Sequence, residues 1–303
     1  MSSTVKDEFQ INRTLLSIIL ALALGLVAAV LFGARYTFNT VAQQPVAMPE
    51  LPSSQADSAE CAALIDSLPA KVAGHKRAEL AQPAPAGAAA WQSSSTDRVT
   101  LRCGVDLPLQ YTALALTEEA GGTEWLRVDD PASELSTWFT VNRSPVAAVT
   151  AERSGRAPVG DIDASPLPLT DLAPAPAPLS QLAAGDAAAC GPLEDSVPQE
   201  IAEGFPLVDA PQPHTLAWQS SGNQTVVLRC GVADPANYAP GAQLVQVNDI
   251  TWFEDDADAA ATTYYALGRE AVVAASIPLT GSNEIITNVS DLIAGAIPAR
   301  AQS

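Results

Sequence analysis

The alternation of apolar and polar positions divides the chain into stretches of unlike character. Leu15 to Ala34 is a run of 20 residues without a charge, in which Ser17 is the only polar side chain. As a helix rising about 1.5 Å per residue, it would span the roughly 30 Å hydrocarbon core of a bilayer. A cleaved signal peptide ordinarily carries a shorter apolar run that ends at a small-x-small site. Here the exit, Leu31-Phe32-Gly33-Ala34-Arg35, puts a bulky Phe where a small residue is wanted, and no nearby cysteine offers a point of lipid attachment. The expected element is an uncleaved anchor over 15–34, preceded by a tail over 1–14. Farther on, strand-like runs cover Thr215–Trp218 and Thr225–Val232, joined by the polar turn Ser220–Gln224. Gln243–Val247 and Ile250–Glu254 flank Asn248-Asp249, a two-residue hairpin signal. Thr262–Leu267 and Ala271–Ile277 flank Gly268-Arg269-Glu270 and predict a second hairpin. A helical period returns over Ile285–Ile297, with Ile286, Val289, Leu292, Ile293 and Ala296 as its apolar stripe, and Cys190–Val197 reads as a short helix or turn. The predicted unit is a small α+β domain on antiparallel strands.

That unit occurs twice. Trp91-Gln92-Ser93-Ser94 recurs as Trp218-Gln219-Ser220-Ser221, and Leu101-Arg102-Cys103-Gly104-Val105 recurs as Leu228-Arg229-Cys230-Gly231-Val232, both at an offset of 127. Trp125 matches Trp252 at the same offset, Arg143 matches Arg269 at 126, and the Cys61-x-x-Leu64 segment matches Cys190-x-x-Leu193 at 129. Such a period lies far beyond solenoid repeats and marks a tandem domain duplication. Composition sets the boundaries: a flexible stalk over 35–60, a first domain over 61–151, an extended Pro/Ala-rich linker over 152–189, and a second domain over 190–299. The first copy lacks a counterpart to the terminal helix.

The short anchor, Cys-x-x-Leu, an Ala/Pro-rich stretch, a Trp, Leu-Arg-Cys-Gly-Val, Val247 to Phe253 and Thr262 to Arg269 resemble an actinobacterial membrane-anchored family catalogued as domain of unknown function 3515. The resemblance covers nearly all of the second copy and is looser over 106–151. It implies a single-domain anchored or secreted protein, from which the duplication departs, and carries no activity, cofactor or catalytic residue.

Four cysteines allow three pairings, and the repeat favours closure within each copy: Cys61 with Cys103, and Cys190 with Cys230. Because all four follow the span, residues beyond it suit an oxidising compartment, and the short tail is then cytoplasmic. Lys6 and Arg13 before the span, against Arg35 after it, give only a faint orientation signal. Arg102 and Arg229 alternate with the buried face of their strands. They are read as solvated or paired with Asp66 and Asp195, with an anion- or ligand-binding role as the sharper alternative. The repeated tryptophans read as core, and Glu254 to Asp258 as a solvated acidic turn.

The charge balance is 34 acidic against 15 basic residues, a net of −19, which repels phosphate backbones and excludes nucleic-acid binding. Two histidines, His75 and His214, do not align between copies and leave little for shared acid–base or metal chemistry. Ser3-x-x-Lys6 stands before the span, and no other catalytic pattern occurs. The expectation is a single-pass cell-membrane protein with its domains outside the cytoplasm. It would be non-catalytic, without metal or cofactor, bound to the bilayer by its helix and to an unknown envelope protein or wall component by its domains. The alternative is an envelope hydrolase using Asp or Glu carboxylates.

Overall fold

The computed structural model describes residues 13–41, 44–255, 261–278 and 282–301. Helix α1 (Arg13–Val41) contains the apolar stretch Leu16–Tyr36, long and apolar enough to cross a membrane, and none of that stretch is buried within the protein.

The first repeat begins with α2 (Ala59–Ser67), capped by the Ser58 hydroxyl, which accepts from the Cys61 N–H at 3.2 Å. Its strands are β1 (Lys71–Val72), β2 (His75–Ala78), β3 (Ala88–Gln92), β4 (Arg98–Val105), β5 (Thr117–Ala120), β6 (Thr123–Asp129), β7 (Leu135–Thr140) and β8 (Val146–Glu152). The second repeat has α3 (Gly191–Asp195), then β9 (Leu207–Val208), β10 (Thr215–Gln219), β11 (Thr225–Cys230), β12 (Leu244–Val247), β13 (Ile250–Glu254), β14 (Ala261–Leu267), β15 (Val273–Pro278) and α4 (Ser282–Ala296). Both sheets are antiparallel and share one topology, β2-β3-β4-β8-β7-β6-β5 against β9-β10-β11-β15-β14-β13-β12, with β1 added to the first. Register repeats as well: Leu101 pairs with Val149 and Leu228 with Ala275. The α+β class and the two disulfide-closed antiparallel domains are as the sequence predicts.

One face of each sheet carries the core. Trp91, Trp125, Trp218 and Trp252 are fully buried. Their indole N–H groups donate inward: Trp91 to the Pro69 carbonyl and Trp218 to that of Pro198, each at 2.9 Å, and Trp252 to the Ser290 hydroxyl at 2.9 Å. Both arginine landmarks are structural. Arg143 donates to the carbonyls of Leu167 and Gly122, and Arg269 donates to those of Ile297 and Asp249, so each ties the end of its repeat to a hairpin. In α4 the buried line is Ile285, Val289, Ile293, Ala296 and Ile297, whereas Ile286 and Leu292 flank it half-buried.

Two composition-based expectations fail. The stretch 152–189 is no free spacer: Val159, Ile162, Ala164 and Leu167 are buried in the first core, in the place that α4 takes in the second repeat. Nor is 35–60 a free stalk. From Gln44 it forms a strap along the first sheet, with Val46 buried and the Gln44 carbonyl accepting from Gln92 at 2.7 Å. Proline denies backbone donors, but it does not stop neighbouring apolar side chains from packing.

The repeats also touch. The β10–β11 turn docks on the first sheet, where Asn223 accepts from the Leu116 N–H (2.7 Å) and donates to the carbonyls of Leu116 (3.0 Å) and Arg127 (2.7 Å). The Asp129 N–H donates to the Gly222 carbonyl alongside.

Candidate functional site

Disulfides join Cys61 to Cys103 and Cys190 to Cys230, one per repeat, pinning α2 and α3 over their sheets. Just beyond each strand cysteine, the incoming chain crosses against a glycine. A Cβ on Gly104 (φ +83°) would collide with the Ala56 backbone, and one on Gly231 (φ +71°) would meet Ala187 at 2.6 Å. Both a left-handed backbone and this close approach require glycine there.

Arg102 and Arg229 lie on the opposite face of each sheet from the core, and neither pairs with Asp66 or Asp195. Each holds the segment entering its repeat. Arg229 Nη1 donates to the carbonyls of Leu179 (2.8 Å), Ser180 (3.1 Å) and Leu182 (3.0 Å), whereas Arg102 Nη2 makes a single bond, to the Pro49 carbonyl. Burial pulls the Arg102 guanidinium below its ordinary pKa, although an arginine keeps its charge.

The two outer faces differ in what covers them. In the second repeat, Leu179 and Leu182 form a turn, closed by the Leu182 N–H donating to the Leu179 carbonyl at 3.1 Å. They pack with Ala242 against Val232, Phe253, Tyr265 and Ala274, and the Tyr238 ring meets Phe253 edge-on at 5.4 Å. In the first repeat the same face is an open groove of about 420 Å³. Leu51, Arg102, Asp106, Phe139, Thr137 and Thr150 line it, and the two threonine hydroxyls are 2.9 Å apart. Val105 and Phe139 are half-buried, while their counterparts Val232 and Tyr265 are 2% and 4% exposed; Leu51 is 54% exposed.

Two local causes leave the groove open. Matching Ala56 to Ala187 sets Pro49 and Pro52 opposite Ser180 and Ala183, so at Pro49 the strap lacks the N–H with which Ser180 closes its own turn on Ala177. Meanwhile the β4–β5 connection, counterpart of the loop bearing Tyr238, runs across to the other repeat and buries Leu114 against Ala217 and Val227. Sequence reasoning located Arg102 but missed Thr137, Phe139 and Thr150; the signal was the pair of prolines where the second copy has Ser and Ala.

The remaining candidates have structural occupations or lie outside the described residues. Asp129 takes Arg127 at 2.8 Å, Arg153 at 3.5 Å and the Ser136 hydroxyl at 2.6 Å. His75 meets Ser93 and Asp97, and His214 meets Glu194. Glu119 and Glu124 pair across β5 and β6 beside a depression of about 480 Å³, whose lining includes no histidine, lysine or arginine. Ser3, Lys6 and Asp256 to Asp258 lie outside the described residues. Among the described residues no three His, Cys, Asp or Glu side chains converge as a metal site requires.

The model of one protein family, described as protein of unknown function DUF3515, matches the chain twice, over residues 20–166 and 166–302. No curated protein and no solved structure matches.

Proposed function

Since both halves of the chain belong to the DUF3515 family, we propose that it is a membrane-anchored, extracytoplasmic binding module without catalytic activity. On this reading the first repeat presents the binding surface and the second braces it. The observation that carries the reading is the unequal treatment of one face: filled in the second repeat, open in the first, with an arginine on its lining. The apolar helix supports membrane attachment, and two disulfides support an oxidising compartment for everything after it.

The test places a photo-crosslinking residue at Phe139 of the full chain in its native membrane, with the exposed Glu203 as control position. A discrete adduct from position 139 and none from 203 is the expected result. Equal labelling, or none, would overturn the reading. For topology, the chain should stay in the membrane pellet with residues 1–14 still attached; a mature protein starting between Gly33 and Glu60 would refute the anchor.

A further inference from the structure

Resting on that reading, we propose that the groove of the first repeat docks a short, uncharged apolar turn of a partner polypeptide, of Leu-x-x-Leu pattern, whose main-chain carbonyls accept from Arg102. The molecule itself displays the occupant. At the equivalent face of the second repeat sits Leu179-Ser180-Gln181-Leu182, its leucines against Val232, Tyr265 and Ala274 and its carbonyls on Arg229. The groove offers the same pieces in the same places: Val105, Phe139, Ala148 and Arg102. Arg229 makes three hydrogen bonds where Arg102 makes one, so the guanidinium in the groove retains donors for further carbonyls.

Charge argues for carbonyls over an anion. Asp106 lines the groove, the remaining polar lining is threonine hydroxyl, and the chain carries −19 overall. A phosphate or carboxylate would meet that field, whereas a neutral turn would not. A second copy of this chain is disfavoured as occupant because its own Leu179–Leu182 turn is already seated.

The experiment uses the full chain in lipid nanodiscs and, as probe, the end-capped peptide Ala-Pro-Leu-Ser-Gln-Leu-Ala, the sequence of residues 177–183. Binding is read by ligand-observed NMR, which registers weak complexes. The peptide is expected to bind, and Arg102→Gln should weaken it about tenfold or more, as loss of hydrogen bonds from a charged donor does. Arg102 also holds the strap, so Phe139→Ser, which removes none of the strap's hydrogen bonds, serves as the second probe and should weaken binding similarly. Arg98→Gln, outside the groove, should change nothing. Grafting the second repeat's turn by Met48→Leu, Pro49→Ser and Pro52→Ala should close the groove and abolish binding.

No binding to the parent chain would overturn the proposal, as would binding that survives both groove substitutions. Displacement of the peptide by inorganic phosphate would replace it with the anion reading, and a photo-adduct at position 139 consisting of a second copy would replace the partner. An adduct with another polypeptide at position 139 combined with no peptide binding sinks the turn chemistry alone and leaves the binding-module reading standing.

Discussion

Replacing Asn223 with alanine should uncouple the two repeats. Its side chain makes four hydrogen bonds: to the N–H and carbonyl of Leu116, to the carbonyl of Arg127, and from Gln219 Nε2 at 2.8 Å. The residue is 2% exposed and holds φ +58°, a left-handed conformation that asparagine tolerates and alanine resists. At about 1 kcal/mol net per bond the deletion removes about 4 kcal/mol. The backbone adds about 1 kcal/mol more, and water reaching the vacated edge returns part of the sum. We expect a loss of about 3–5 kcal/mol, concentrated in the coupling between repeats. Asn223→Gly separates the two contributions, because glycine accepts the dihedral and should recover about 1 kcal/mol. Urea unfolding of the full chain in micelles should pass from one transition in the parent to two in the alanine variant. A loss below about 0.5 kcal/mol, or a single transition retained, would show that the Asn223 hydrogen bonds do not hold the repeats together.

Three further outcomes follow from the geometry. Cys190→Ala with Cys230→Ala opens a loop of 40 residues and should cost about 4 kcal/mol; non-reducing peptide mapping of the parent should show only the two bridges within repeats. Arg269→Met leaves the Asp249 and Ile297 carbonyls without their donor and should cost about 2–4 kcal/mol in chemical denaturation; an unchanged midpoint would contradict the tie assigned to Arg269. The Asp130 carboxyl is held below its usual range by the Ser133 hydroxyl and the Ala132 N–H. Its stabilisation is therefore present above the unfolded value, near pH 4, and is lost as pH falls through the lower folded one. Asp130→Asn should flatten stability between pH 4 and its folded value, and an unchanged acid limb would contradict this.

The parts of the fold legible in the sequence were those encoded by local periodicity or by repetition. The Asn248-Asp249 hairpin was legible because two strand-like runs flank a two-residue turn signal, and the Cys61–Cys103 bridge because the second copy repeats the arrangement. The strap and the linker were illegible for a shared reason. Proline content reports on main-chain hydrogen bonding, whereas the burial of Val46, Val159 and Leu167 depends on surfaces formed by residues distant in sequence. Arg229 shows the same limit, since its acceptors at Leu179 to Leu182 lie 47–50 positions away. The groove is harder still to read, because it arises from a difference between two copies and has no pattern of its own.

The strap has a further consequence for how the protein searches its surroundings. The apolar stretch of α1 ends at Tyr36 and the strap is engaged by Gln44, leaving seven residues, or eight Cα-to-Cα steps, between bilayer and domain on the proposed topology. Helical, they reach about 12 Å; fully drawn out, at most about 28 Å. The first repeat is thereby confined to a thin layer above the lipid headgroups. A partner tethered to the same bilayer would meet it at a high effective concentration, of millimolar order for short links. An interaction too weak to survive in free solution would then be sufficient at the membrane, and would release as soon as either tether was cut.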